Sequence, residues 1–278
     1  MNTNRIHIHS GHAAAQTLAA AGLPPEDRNE VWADVLHVGA LDCRWTDPVR
    51  HAVRAHVLAG PEHAPAAVEK FICKQDEMLD AITPADAVVI WVDACMYDQL
   101  ILAFILDRLA SRHPLQQRAA PLELICETSA PGVVPFHGYG ELQPAQVLSL
   151  LPLRRPITDA QIEAARLAWR TAASPDRSPV RLRAIARQVG ALPFMPLALE
   201  RLADELLDAD GLSLTDRRIL ETLRGNGRMT KSQLFVGASK LEPIPFMGDS
   251  TFFDRVDRLV ELGLIKFDVK SAEYFSVD

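Results

Sequence analysis

The chain has 278 residues, is 48% apolar and carries a formal net charge of −7. That length suits about two domains with a sizeable core, and the acidic balance argues against strong non-specific nucleic-acid binding. No apolar stretch reaches the ~18 residues of a membrane span, the N-terminus shows no signal-peptide core, and four scattered cysteines read as reduced thiols, so a cytoplasmic protein without a membrane partner is expected.

The charge is uneven. Residues 1–150 hold 10 basic and 18 acidic side chains. Residues 151–204 hold nine basic side chains, all arginine, and five acidic ones. Three blocks follow from composition and pattern: an α/β domain over 1–150, a helical linker over 151–207, and a C-terminal domain over 208–278.

The first block alternates strand and helix signals. A short strand at Ile6–His9 runs into an Ala-rich helix over Ala13–Ala21, stopped by Gly22 and Pro24-Pro25. Glu30–Leu36 reads as a second strand. Asp47-Pro48 opens a helix to Leu58, with proline at its first position. Another helix spans Pro65–Ala81. Ala87–Val92 is a continuous apolar run, the pattern of a buried parallel strand. Met96–Arg112 is a strongly apolar helix, and Leu122–Glu127 is a fourth strand. This β-α-β-α rhythm predicts an α/β fold with a mostly parallel, Rossmann-like sheet.

Pro152 and Pro156 mark the end of that block. Thr158-Asp159 caps a helix over Ala160–Thr171, followed by helices at Val180–Val189 and Leu197–Leu207. The last block reads differently. Helices at Arg217–Arg224, Lys231–Val236 and Thr251–Leu262, the last capped by Asp249 or Ser250, precede two strands at Leu264–Asp268 and Glu273–Val277. Three helices and a hairpin is a winged-helix-like order.

Candidate chemistry gathers in the first block. His7, His9 and His12 sit at the first strand-to-helix turn, and three imidazoles can hold zinc. The plainer alternative is one buried histidine with two in a loop, so no metal or other cofactor is expected. Ser10, Gly11 and His12 precede a helix N-terminus, whose amides suit a small anionic ligand. Neither G-x-G-x-x-G nor a P-loop lysine accompanies them.

Asp93, Cys95, Asp98 and Gln99 follow the most apolar strand. The acids can act as acid–base groups or ligands, and a thiol near a helix N-terminus favours thiolate. Their alternative roles are helix cap, first-turn charge and apolar filler. Asp34 with His37 can form a carboxylate–histidine pair, but no Ser-His-Asp order is readable. The segment His137-Gly138-Tyr139-Gly140 is a loop able to close over the same edge. His51 and His56 lie in a helix and are expected to face solvent.

The chain resembles a bacterial family known as domain of unknown function eighteen thirty-five, with its usual C-terminal companion domain. The resemblance rests on Ile6-His7-Ile8 with Gly11, on Trp32 to Gly39, on Val89-Ile90-Trp91 with Tyr97 to Leu100, on Gly138 to Leu142, and on Pro245 to Asp249. It implies no particular reaction. Such proteins usually show Gly-Asp-Ser where this chain has Gly11-His12-Ala13. They usually show Glu-His-Asp where it has Asp93-Ala94-Cys95.

The expected function is therefore regulatory: binding of a small anionic ligand, or of a protein partner, by Ser10, Gly11, His12, Asp34, His37, Asp93, Asp98 and Gln99. The alternative is a hydrolase or transferase with His37 or Asp98 as general base. A third reading is a DNA-binding regulator, which the acidic residues Asp249, Asp254, Asp257 and Glu261 on the last helix make a poor one; nucleic acid is not an expected partner.

Overall fold

The computed structural model describes residues 4–60, 63–134, 136, 138–244 and 246–277. The first block builds β1 (Arg5–His9), α1 (His12–Ala20), β2 (Arg28–Val31), α2 (Asp47–Leu58), α3 (Pro65–Asp80), β3 (Ala87–Trp91), α4 (Met96–Arg112), β4 (Leu122–Ile125) and α5 (Pro144–Leu150). The chain then adds β5 (Arg155–Pro156). The five strands form one sheet in the order β2-β1-β3-β4-β5. The first four are parallel, and β5 runs antiparallel at the edge, pairing Leu124 with Arg155 and Glu123 with Pro156. Pro156 is tolerated there because an edge strand can spare one ladder donor.

Alternation along the strands sorts their side chains to two faces. Val89, Trp91 and Ile125 lie under α1 and α5, against Ala14, Leu18, Val147 and Leu150. Ile6, Ile8, Val88 and Ile90 face α4. That helix is apolar almost all round because it is covered on both sides. The sheet lies on one side of it. On the other lie α6 (Asp159–Ala172) and α8 (Met195–Glu205), with α7 (Pro179–Ala186) packed on α8. Ala164, Ala165, Ala168 and Ala172 let α6 approach α4 closely, and Trp169 meets Phe104 edge-on at 5.0 Å. The middle helices thus share one apolar core with the sheet.

The last block forms α9 (Leu214–Asn226), α10 (Lys231–Ser239), α11 (Asp249–Glu261) and the antiparallel pair β6 (Ile265–Asp268) and β7 (Glu273–Ser276). Ile219, Leu234, Phe252 and Leu259 are buried among these helices. Arg201 of α8 ties the block down, meeting the Glu242 carboxylate at 3.1 Å and the Thr215 hydroxyl at 2.7 Å. Arg218 of α9 grips the same Glu242, whose side chain is 2% exposed.

Some expectations need correction. The second strand covers Arg28–Val31, not Glu30–Leu36. The Trp32 amide still bonds the His9 carbonyl, but the next partner is not a strand. Gln75 of α3 accepts the Ala33 N–H and donates to the Ala33 carbonyl at 3.2 Å, imitating a ladder and letting the chain leave the sheet. The fourth strand stops at Ile125, and α5 has no counterpart in the sequence reading. Gly248, not Asp249 or Ser250, is the α11 N-cap, and Asp249 sits in the first turn.

Candidate functional site

The strand order reverses between β1 and β3, because the chain leaves β1 outward to β2 and returns on the opposite side. In open α/β sheets the crevice beyond such a reversal is the usual ligand site. His9 and Trp91 are register partners at its base. Ser10-Gly11 and Val92 to Cys95 are the two turns that leave it.

The second turn is held by its own polar groups. The Asp93 N–H donates to Asp98 Oδ2 at 2.6 Å, and Asp93 Oδ1 accepts the Cys95 N–H at 2.8 Å. Cys95 caps α4 by accepting the Asp98 N–H at 3.4 Å. Gln99 Nε2 donates to the Asp93 carbonyl at 2.6 Å. The Tyr97 hydroxyl donates to the Ser10 carbonyl at 3.0 Å, joining the two turns. Asp98 and Gln99 therefore shape the edge from behind, while Asp93 forms part of its wall.

Burial pushes the Asp98 carboxyl well above the usual carboxylate range, and the neighbouring Asp93 charge adds to the effect. Burial raises Asp93 as well. Among the described residues neither acid has a guanidinium partner, so the pair favours holding a proton. The Cys95 thiol is also pushed well up, first by burial and then by both acids, so the thiolate suggested by its helix position does not form.

Of the loop expected to close over this edge, Gly138 and Tyr139 lie against it. Tyr139 Oη donates to the Val92 carbonyl at 3.0 Å and accepts the Glu127 N–H at 2.8 Å, bridging the ends of β3 and β4. Gly138 adopts φ +130°, and a Cβ there would lie 2.8 Å from Asp93 Oδ2, so a side chain is excluded twice over. His137 lies outside the described residues. Between this edge and the C-terminal blocks is a cleft of about 420 Å³. Asp93, Glu127 and Phe136 line one side of it; Phe194, Pro243 and Ile244 line the other.

The three opening histidines do not meet. His7 accepts from Trp91 Nε1 at 3.0 Å and turns its other nitrogen to Asp27 at 3.4 Å. His9 stacks on Trp91 at 5.5 Å, and burial lowers its pKa to about 3 against the opposing effect of the Asn29 side chain. His12 is exposed and stacks on Phe71 at 6.0 Å. Among the described residues, the triplets close enough to share an ion are Asp93–Cys95–Asp98 and Asp47–His51–Asp76. In the second, Arg50 and Arg108 already neutralise Asp76.

The expected Asp34–His37 pair is absent because Arg54 intervenes. Its guanidinium forks onto Asp34, with Nη2 at 2.7 Å and Nε at 3.1 Å. It also donates to the Val35 and Val38 carbonyls, at 2.9 and 2.5 Å. Both side chains of the Arg54–Asp34 pair are 0% exposed. His37 lies edge-on to Tyr97 with both ring nitrogens unpartnered. Burial first, then the charges of Arg54, Arg201 and Arg177, bring its pKa to about 3.

His51 is buried rather than solvent-facing, with Nε2 at 2.9 Å from Asp76. Arg50, Arg54 and Asp76 escaped the sequence reading. The available signal was the i,i+4 spacing of Arg50 and Arg54 beside Ala55, a basic stripe on the inward face of α2. On α11, Arg255 and Arg258 turn inward to Asp216, leaving Asp249, Asp254, Asp257 and Glu261 exposed. Arg183 pairs with Asp204 and Arg181 bonds the Asp176 carbonyl. A scan against protein-family models and a search of curated proteins both return no match.

Proposed function

We propose that this is a ligand-binding regulatory protein, in which the sheet edge beyond β1 and β3 holds a small molecule and the C-terminal blocks respond to it. The observation that carries this reading is the shared cleft: Asp93 and Glu127 come from the α/β part, Phe194 and Ile244 from the part that follows. A molecule filling it touches both. The α1 amides beside Ser10, Gly11 and His12 suit the anion expected from sequence, since Gly11 offers no side-chain cap. The cleft walls favour different chemistry. They carry two carboxyls, two aromatic rings and, among the described lining residues, no basic side chain. That lining supports an apolar molecule bearing an amine or other hydrogen-bond donors.

The hydrolase or transferase reading has less support. Asp98 already accepts a backbone N–H, and His37 lies against Tyr97 rather than in the cleft lining. We read the last block as winged-helix-like from its element order, with the acidic outer face of α11 favouring a protein partner over nucleic acid. Exposed Phe267 and Val269 on the hairpin favour the same choice. The family resemblance belongs with this proposal; one departure from the family pattern falls on the 92–95 turn and the other on the first residues of α1.

Thermal-shift titration with matched amines, carboxylates and phosphate esters tests the reading. Apolar amines should raise Tm, and Asp93→Asn should weaken their apparent affinity at least tenfold while leaving the unliganded Tm within a few degrees. Stabilisation by phosphate esters alone would return the site to the α1 amides and defeat the amine assignment.

A further inference from the structure

Away from the cleft, α2 and α3 bring together a thiol, an imidazole and a carboxylate. Cys73 Sγ lies 3.2 Å from His51 Nδ1, and His51 Nε2 lies 2.9 Å from Asp76 Oδ2. This is a nucleophile beside a base that is itself oriented by a third group. Asp76 sits deep, receiving Trp32 Nε1 at 3.1 Å, so the carboxylate is fixed before the imidazole meets it. Arg50 Nη2 also lies 3.1 Å from His51 Nε2; in the tautomer that donates Nε2–H to Asp76, the Nδ1 lone pair turns to the Cys73 thiol. Cys73 itself is half-buried on α3 and within reach of a compact reagent.

From this geometry we infer that Cys73 is a base-activated thiol that is oxidised selectively by hydroperoxides. In the step, the sulfur attacks the terminal peroxide oxygen as His51 takes the thiol proton. An S–O bond forms and the O–O bond breaks. The leaving alkoxide or hydroxide recovers the proton from His51 and departs as alcohol or water. Sulfur is oxidised to a sulfenic acid and the peroxide is reduced.

The other three thiols provide the contrast. Cys95 and Cys126 are held up by burial, Cys126 to about 12. Cys43 is the most exposed of the four, yet among the described residues its sulfur meets the Arg170 carbonyl, at 4.0 Å, and no base. Exposure alone ranks Cys43 first; the geometry ranks Cys73 first.

The charges around His51 set the pH range. Arg50 and Asp47 face it from α2, Glu69 and Asp76 from α3, and Arg108 from α4. Burial lowers its pKa first and Arg50 next, so the ring is neutral and able to accept a proton at pH 7.

The test treats the purified full-length chain with hydrogen peroxide, traps sulfenic acid with dimedone, and reads each cysteine by mass spectrometry. Cys73 should be trapped at least tenfold faster than Cys43. His51→Gln should slow Cys73 at least tenfold and leave the Cys43 rate unchanged, which also reports an intact fold. Should that variant fail to fold, the ratio of the Cys73 and Cys43 trapping rates in the wild type decides. A Cys43 rate equal to or above that of Cys73 overturns the inference.

Discussion

Two of the regions that hold buried acids solve the same problem in opposite ways. Beneath α2, Asp34 and Asp76 are met by Arg54, Arg50 and Arg108, so charge is balanced by charge. At the cleft edge, Asp93 and Asp98 are met by backbone amides and the neutral side chains of Ser10 and Cys95, and the balance is made by a proton. The first arrangement locks a loop against a helix. The second leaves a raised carboxyl, that of Asp93, in the cleft wall. Ion pairs hold the acids where arginine is available, and a shared proton holds them where it is absent.

The sharpest way to break this comparison is to remove one guanidinium. Arg54→Met should cost about 3–5 kcal/mol in urea unfolding, because Asp34 would be left buried and unpaired. A loss below about 1 kcal/mol would mean that the pair does not hold the loop.

Asp98→Asn should act the other way. A folded-state pKa raised above the unfolded value means that the native state holds the extra proton. Wild-type stability should therefore fall as pH rises above the unfolded value of about 3.9. The asparagine variant, which cannot ionise, should melt a few degrees higher than wild type at pH 7 and equal to it near pH 4. A variant less stable at pH 7 than at pH 4, relative to wild type, would show that the carboxylate is the native form.

The smallest effect calibrates the others. Arg183 and Asp204 make the same kind of pair in the open, with side chains 48% and 36% exposed. Arg183→Ala should change stability by less than about 0.5 kcal/mol, since exposed pairs contribute little.

Much of the architecture was readable because it follows local rules. The continuous apolar run Ala87–Val92 identified β3, and Met96–Arg112 matched α4 at both ends. The strand-to-helix turns fell where an α/β rhythm puts them. What escaped was non-local. The end of β2 depends on Gln75, 42 residues beyond Ala33. The Asp34–Arg54 fork joins a loop to a helix face whose arginines look solvent-bound in a linear reading. Asp93 and Asp98 were recognised as a candidate cluster, but which of them faces the cleft depends on how the 93–95 turn folds back. Cys73 and His51 lie on separate helices, with no motif to link them.

The grip of Arg201 and Arg218 on Glu242 has a mechanical consequence. Pro243 and Ile244, which form the cleft wall, continue directly from that residue. A load placed on Ile244 is therefore delivered within two residues to a rivet between α8 and α9. Separating the rivet would strand a carboxylate away from water, so the last block is pinned at its first contact with the cleft wall and does not hang from a tether.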